Sequence, residues 1–529
     1  MRRPVLEPAH SPIAQATDGR RRWAANPLTL VVLARAAALA AVLAATHQPT
    51  AAQRALVIEP NATVMQTLTD NYLLTGATPA GDLVTRLTAG LRLRSQAGLL
   101  RGYLDYSGSS VLYARHADRN EFQNALRSNL TADVLEGRAQ VVVEADIAQS
   151  AISAFGAQPA AGGLSNANST ELRTLRITPS FRGPLGPDLL YSGSLGYSIS
   201  DASNTRNGDS TTANMALTIS PAAPGRLSWA LNGTHLRSAY KLGRDTQSER
   251  ATGQLNYRVD ELDLMLDANT GIELSNLATA GRQRHQTWGF GAVWQPSPRL
   301  RLAGDLDRRF FGQSHKLSLE YRTPLTVWRL SDSRSVSTGD GQSGFGGRGT
   351  VYDLFFAQFA SVEPDPIKRA ELVNAYLRDN GINPAGVVNT GFLRSSATLD
   401  NRQSLSVALR GIRSTAVLTA SRSRSRRLDT ISNGNDDLAN SGHVRLQSLA
   451  LDLSHRLTPL TSIGLVLSGQ HGRGTQAGQD NRQRQSSLSY STRLTAESTL
   501  SAGGRRTLYQ TGASAYAESA VFATYGIRF

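Results

Sequence analysis

The chain has no cysteine and almost no lysine, and beyond residue 60 no uncharged apolar run is long enough to cross a membrane as a helix. The missing cysteine excludes disulfides, a lipoprotein anchor and thiolate metal ligation. Lysine occurs only at 241, 316 and 368, so nearly all the positive charge in a chain of formal charge +15 is arginine. Those arginines are scattered through alternating stretches and are not gathered on a helix or among stacking aromatics, which argues against nucleic acid as a partner. Gly344-Phe-Gly-Gly-Arg-Gly349 is not followed by a strand–helix unit, so a phosphate-binding loop is absent as well.

What the chain does have is alternation. In the last segment Val521, Ala523, Tyr525, Ile527 and Phe529 fall on one face and Phe522, Thr524, Gly526 and Arg528 on the other. A two-residue period with one apolar face suits a strand between lipid and a polar lumen. An apolar face ending on a terminal aromatic resembles the membrane-insertion signal of bacterial outer-membrane barrels, and these five residues are read as that signal. The same period recurs in 188–200, where Leu195, Tyr197 and Ile199 alternate with serines, and in 251–259, where Leu255, Tyr257 and Val259 alternate with Asn256 and Arg258. From residue 64 onwards such segments of about ten residues, each followed by a turn, number 22, from 64–75 to 516–529, with 18 to 22 strands compatible with their boundaries. Links after even-numbered segments are short, as at Asp260-Glu261 or Pro296-Ser-Pro298, and those after odd-numbered ones are mostly longer. Short periplasmic turns opposite long extracellular loops are the pattern of an outer-membrane barrel with both termini in the periplasm. The fold class expected is therefore all-β: a single antiparallel transmembrane β-barrel of about 22 strands, spanning 53–529.

Residues 1–52 read as a leader and signal peptide. Arg20, Arg21 and Arg22 form a basic region, Leu28 to Ala45 an apolar one, and Thr50-Ala51-Ala52 a cleavage site that would leave Gln53 first. Arg35 interrupts the apolar stretch and would be costly at mid-bilayer, which disfavours a transmembrane anchor. The leader carries six arginines against Glu7 and Asp18, so the remainder stays near +11. The stretch before the first strand is too short for a separate N-terminal plug domain.

One interruption, 336–395, is expected on the extracellular side as a helical loop or plug within the barrel. It opens glycine-rich, passes an apolar stretch from Val351 to Phe359, and then shows a punctuated helix with Asp365 as N-cap, Pro366 first and Gly381 beyond the end. Ile367, Ala370, Val373 and Leu377 line one side of that helix. A constriction folded into the lumen and a surface cap are both open at this point.

Several short motifs, in their order, resemble the outer-membrane β-barrel proteins associated with PEP-CTERM sorting and exopolysaccharide gene clusters. They are Thr69-Asp70-Asn71 opening the first strand, the helix from Asp365 to Val373 ending near Asn380-Gly-Ile382, Phe392-Leu393 starting the next strand, and the Arg-Leu-Thr-Pro turn at 456–459. The resemblance covers most of the chain after the leader. It implies an outer-membrane location, a link to exopolysaccharide export or envelope assembly, and no established active site.

The residues themselves give little chemistry. His116, His235, His285, His315, His443, His455 and His471 are spread over different strands and loops without metal-ligand spacing, and a lone histidine is more often interfacial than catalytic. Asp263 with Asp267, and Asp305 with Asp307, share a strand face and could serve as acid–base pairs, but barrel interiors are ordinarily rich in acids. No cofactor, no metal and no enzymatic activity is expected. Arg422, Arg424 and Arg426 continue the apolar face of a strand running outward, a place where lipopolysaccharide phosphates suit guanidinium; a strand continuing into solvent is the plainer alternative. The function expected is a porin-like channel or guide, or else a non-conducting docking barrel for envelope polysaccharide machinery. The partners expected are the outer membrane and its lipopolysaccharide, the barrel-assembly machinery, and exopolysaccharide or its export proteins.

Overall fold

The computed structural model describes the chain from Leu56 to Phe529, except that within 96–97, 158–165, 339–365, 380–386, 430–435 and 513 only scattered residues are described. The leader and signal-peptide reading lies outside the described residues. Twenty-two strands form one antiparallel sheet in which each pairs with its neighbours in sequence. The first, Leu56–Thr69, pairs with the last, Ala515–Arg528, from Asn61 opposite Arg528 to Thr69 opposite Ala520. The sheet is therefore closed and keeps no edge.

The pleat decides what each face meets. In Asp82–Ser95 the side chains of Leu83, Leu87 and Leu91 are exposed on the outside, while Val84, Arg86, Arg92 and Arg94 turn inward. Val521 in the last strand is 65% exposed and Phe529, just beyond it, 73%, so the apolar face that carries them points outward. Such a continuous apolar exterior would drive aggregation in water and is the belt of a barrel in lipid. Trp229, Tyr257, Trp294, Tyr321, Trp328 and Tyr490 all stand exposed near the end of the barrel that carries the short links, an aromatic girdle at one interface. That end, with links such as 136–138, 186–188 and 411–413, corresponds to the periplasmic side. The other end carries 152–168, 203–209, 338–397 and 428–443.

Two positions differ from the sequence reading. The first strand is Leu56–Thr69 and not 64–75, because Pro60 and Asn61 disguise its start. The carbonyl of Pro60 accepts from the amide of Phe529 at 3.0 Å. On that side the partner strand ends there, so the missing N–H leaves no bond unmade. Asp263 lies outside the strand Leu264–Ser275: it follows the turn Asp260–Leu262 in a left-handed conformation, φ 47°. The proposed pairing of Asp263 with Asp267 on one strand face is therefore not formed.

Candidate functional site: a lumen bridged at two levels

Twenty-two strands about 4.8 Å apart and tilted by about 40° enclose a lumen roughly 40 Å across between backbones. The insertion enters it. Helix α1, Pro366–Asp379, is capped as expected, with the Asp365 carboxylate accepting from the amide of Ile367 at 2.8 Å. Ala370, Val373 and Leu377 are buried to within 2% and Ile367 is half-buried. Val373 and Leu377 pack with Tyr352, Phe355 and the inward-facing Val417 of the strand Ser414–Arg427, with Ala408 beside them. Phe355 and Phe359 meet Tyr376 at 4.9 and 5.3 Å, which joins the apolar stretch before α1 to the helix.

The other side of the helix reaches a different wall. Arg94 pairs with Glu371 at 2.7 Å, Arg92 donates to Asn374 at 3.3 Å, and the Arg127 guanidinium lies 4.4 Å over the ring of Tyr352. Arg92 and Arg94 end a descending strand, and Ala408 and Val417 lie near the same end of theirs. A segment that leaves the barrel at its extracellular rim thus comes down to the periplasmic half and bridges two walls there. This places α1, with Tyr352 and Phe355, inside the lumen rather than on the surface. A helix is only about 10–12 Å wide with its side chains, so α1 narrows this space without filling it.

The extracellular mouth is bridged separately. Leu393, fully buried, packs between Leu172 and Ala202, and Phe392 bridges to Ala151 and packs with Ala154, Leu438, Val444 and Leu446. The amide of Ser395 donates to Asp436 at 2.7 Å. Asp436 also caps the short helix α2, Asp437–Asn440, by accepting from the amide of Ala439. Asp437 accepts from the amide of Ala154 at 2.5 Å and from the Ser153 hydroxyl at 2.8 Å. From the far side, Asn481 donates to the Ala154 carbonyl at 2.9 Å and the Tyr509 hydroxyl to that of Phe155 at 2.7 Å. Burial raises the carboxyl of Asp437 above the usual range against the hydrogen bonds it accepts, and burial does the same to Asp209 at the neighbouring loop.

The inner wall's charges are largely matched. Arg92 faces Asp105 at 2.5 Å, Arg309 faces Glu273 at 2.6 Å, Arg505 faces Glu518 at 2.7 Å and Arg329 faces Glu320 at 3.4 Å. Asp305 and Asp307 do share the inner face, where Asp307 accepts from Asn269 at 3.1 Å and meets Arg250 at 3.8 Å. The histidines stay apart. His116 meets Asp82 at 2.8 Å beside Tyr72, His235 meets Glu249, and His471 meets Asp480. Ser414 and His455 are 2.8 Å apart on the exposed periplasmic rim. Among the described residues no group of His, Asp and Glu could hold a metal ion.

The Thr69-Asp70-Asn71 and Phe392-Leu393 motifs do not start the strands expected of them. Thr69 closes the first strand, and Asp70 and Asn71 follow it. Asp70 accepts from the amide of Ser519 at 2.7 Å, Asn71 donates to the Ala517 carbonyl at 3.1 Å, and Thr69 donates to Glu518 at 3.3 Å. The three residues clasp the seam between first and last strands. Phe392 and Leu393 likewise precede the strand Thr398–Arg410 and anchor the mouth.

The fold is a closed antiparallel transmembrane barrel of the outer-membrane type. No protein-family model matches the chain. No curated protein matches it either. Among solved structures it is similar to the FrpB iron transporter from Neisseria meningitidis, at 9% identity over 89% of this chain and 82% of that one, with a TM-score of 0.47. It is also similar to OccK11 (OpdR) from Pseudomonas aeruginosa, at 11% identity over 89% and 96% with a TM-score of 0.34, and to a BenF-like porin from Pseudomonas fluorescens Pf-5, at 9% over 90% and 99% with a TM-score of 0.34. Such distant likenesses carry nothing about cargo, and the barrel rests on its own strand register.

Proposed function

We propose that this protein is an outer-membrane channel held closed by its own insertion together with the loops packed across its mouth. The single observation that carries the reading is the position of α1: an extracellular loop lies against two walls of the periplasmic half, packed on one by apolar side chains and joined to the other by Arg94, Arg92 and Arg127. An apolar contact on the home wall and ion pairs on the far wall suit a segment that can swing without unfolding. Exopolysaccharide, or surface proteins of a PEP-CTERM-type system, is the cargo this reading favours. Its support is the order of the sequence motifs. Because the inner arginines face carboxylates, selection for anions is weaker than the arginine count implies.

A second reading, a non-conducting docking barrel, is favoured by the packed mouth, where Phe392 and Leu393 are buried among loops from several strands. Single-channel recording on the refolded chain from Gln53 separates the two. The channel reading expects brief, rare openings from the intact protein and large steady ones once residues 339–390 are removed. A heat-modifiable, folded barrel that stays silent in both forms would hand the protein to the docking reading.

A further inference from the structure

The outer wall is not uniform in charge. Above the apolar belt, on the strands from Thr246–Val259 to Gln283–Ser297 and on Leu227–Tyr240 before them, outward charges are largely paired, Arg284 apart. His235 and Arg282 both meet Glu249, at 3.3 and 2.6 Å, and Arg237 meets Asp245 at 3.5 Å. On the wall from Ser414–Arg427 to Ser498–Thr511 the balance is lost. Arg422, Arg424 and Arg426 lie outward, opposite Gln403, Asn401 and Leu399. Across the next strands Arg424 stands opposite Arg445, and Arg445 opposite Arg473. Arg482 stands opposite His471, and Arg484 opposite Gly469.

Among the described residues the side chains of Arg422, Arg424, Arg445, Arg482 and Arg484 make no hydrogen bond or ion pair, and the Nε of Arg445 is buried without a partner. The acid on this face is Asp480, already engaged by Arg473 and His471 at 3.2 Å each. Like charges directly opposite one another across strands repel. Arg424 and Arg445, opposite one another with an acid beside neither, therefore call for an anion from outside the chain.

The belt meets this patch without a gap. Leu449 and Ala420 lie opposite each other, Gly469 is opposite Leu449, and Arg484 follows in the same cross-strand row. A side chain at Gly469 would meet nothing within 4 Å. A groove of about 260 Å³ runs here, lined by Gln447, Leu449, Gly469, His471, Arg482 and Arg484 among others. An apolar trough running up into unpaired guanidinium groups matches a lipid whose head carries phosphate. Guanidinium binds phosphate in a fork, and it does so most strongly where lipid excludes water.

We infer that this wall, from Arg422 to Arg484, binds the phosphorylated glycolipid of the outer leaflet, with Arg445 and Arg482 added to the arginines that the sequence pattern marks. The inference rests on the outer-membrane reading of the barrel. It orients the protein within its membrane, with one side fixed to glycolipid and the other free of it.

The test refolds the full chain into vesicles containing lipid A, extracts it in mild detergent, and measures glycolipid retained per barrel. Parallel vesicles contain dephosphorylated lipid A or phosphatidylglycerol. Retention is expected to fall about tenfold in the variant combining Arg424→Gln, Arg445→Gln and Arg482→Gln, and to stay unchanged in Arg237→Gln on the balanced wall. The unaltered protein is expected to lose dephosphorylated lipid A. Full retention by the triple variant would overturn the inference. So would equal retention of phosphatidylglycerol, which would make the patch a general anion surface. Should the triple variant fail to fold, the comparison of phosphorylated with dephosphorylated lipid A on the unaltered protein decides the matter. Heat-modifiable migration of the unaltered protein reports on the barrel itself, so failure of the membrane reading is seen separately.

Discussion

The lumen is crossed twice, and the two crossings are built differently. At the mouth, the bridge is made of buried apolar side chains and of hydrogen bonds to backbone amides and carbonyls, such as Asn481 to Ala154 and Ser395 to Asp436. In the periplasmic half, α1 leans on its home wall through Val373 and Leu377 and meets the far wall through polar side chains, Arg94 with Glu371 and Arg92 with Asn374. Disturbing the first costs buried surface and unsatisfied backbone groups. Disturbing the second costs one partly exposed ion pair and one weak hydrogen bond. The difference assigns them separate roles: the mouth fixes where the insertion begins and ends, and the helix is the part that can move.

The largest effect that would sharpen this contrast comes from removing 339–390 while keeping 391–397. Conductance is expected to rise while heat-modifiable migration is unchanged; if the barrel no longer folds, α1 is structural and the contrast fails. Next comes Leu393→Ala, which empties a fully buried site and should lower stability by about 2–5 kcal/mol, measured by urea unfolding of the folded barrel. An unfolding midpoint equal to that of the parent chain would show the mouth bridge to be loose.

Smaller is Glu371→Gln, which leaves Arg94 paired with Glu59 in the wall. The pair with Glu371 is partly exposed and worth about 0.2–1 kcal/mol, so open probability should rise by up to about fivefold with no change in the unfolding midpoint. The smallest expected effect is that of pH on the mouth. Asp437 and Asp209 have carboxyls raised by burial in the packed mouth, so the folded form holds their protons more tightly than the unfolded chain does. Protonation therefore favours the packed mouth: its contribution to the urea unfolding midpoint should grow as pH drops toward about 4, and Asp437→Asn should flatten that dependence. A midpoint that Asp437→Asn lowers at every pH would show that the hydrogen bonds to Ser153 and Ala154 outweigh burial.

Alternation made the barrel legible from the chain alone, because a strand between lipid and lumen must change polarity at every residue. Leu195, Tyr197 and Ile199, and likewise Leu255 and Tyr257, stand outward as their pattern demands. The helix was legible for the same kind of reason: Ala370, Val373 and Leu377 bury the side their spacing marks. The start of the first strand was not, since a proline is disfavoured in a strand by local propensity and is tolerated here beside the end of the pairing between first and last strands. The depth of the insertion was also hidden. Arg92 and Asn374 are 282 residues apart, and nothing in the local pattern of either announces the other. Nor could charge counting reveal which arginines are neutralised: Arg92 and Arg424 look alike in sequence, and only the register shows an aspartate opposite one and an arginine opposite the other.

The clasp at the seam has a consequence for how the barrel is checked as it forms. A slip of one residue between the first and last strands would turn every side chain to the wrong face and be rejected by lipid and lumen alike. A slip of two would pass that inspection, since each side chain keeps its face. Thr69, Asp70 and Asn71 meet Glu518, Ser519 and Ala517 in one alignment, and a two-residue slip would leave the buried Glu518 and Arg505 pair without its Thr69 donor and Asp70 without its amide. The clasp thus distinguishes the single correct closure from its nearest imitation, and it can do so only after the final strand has arrived.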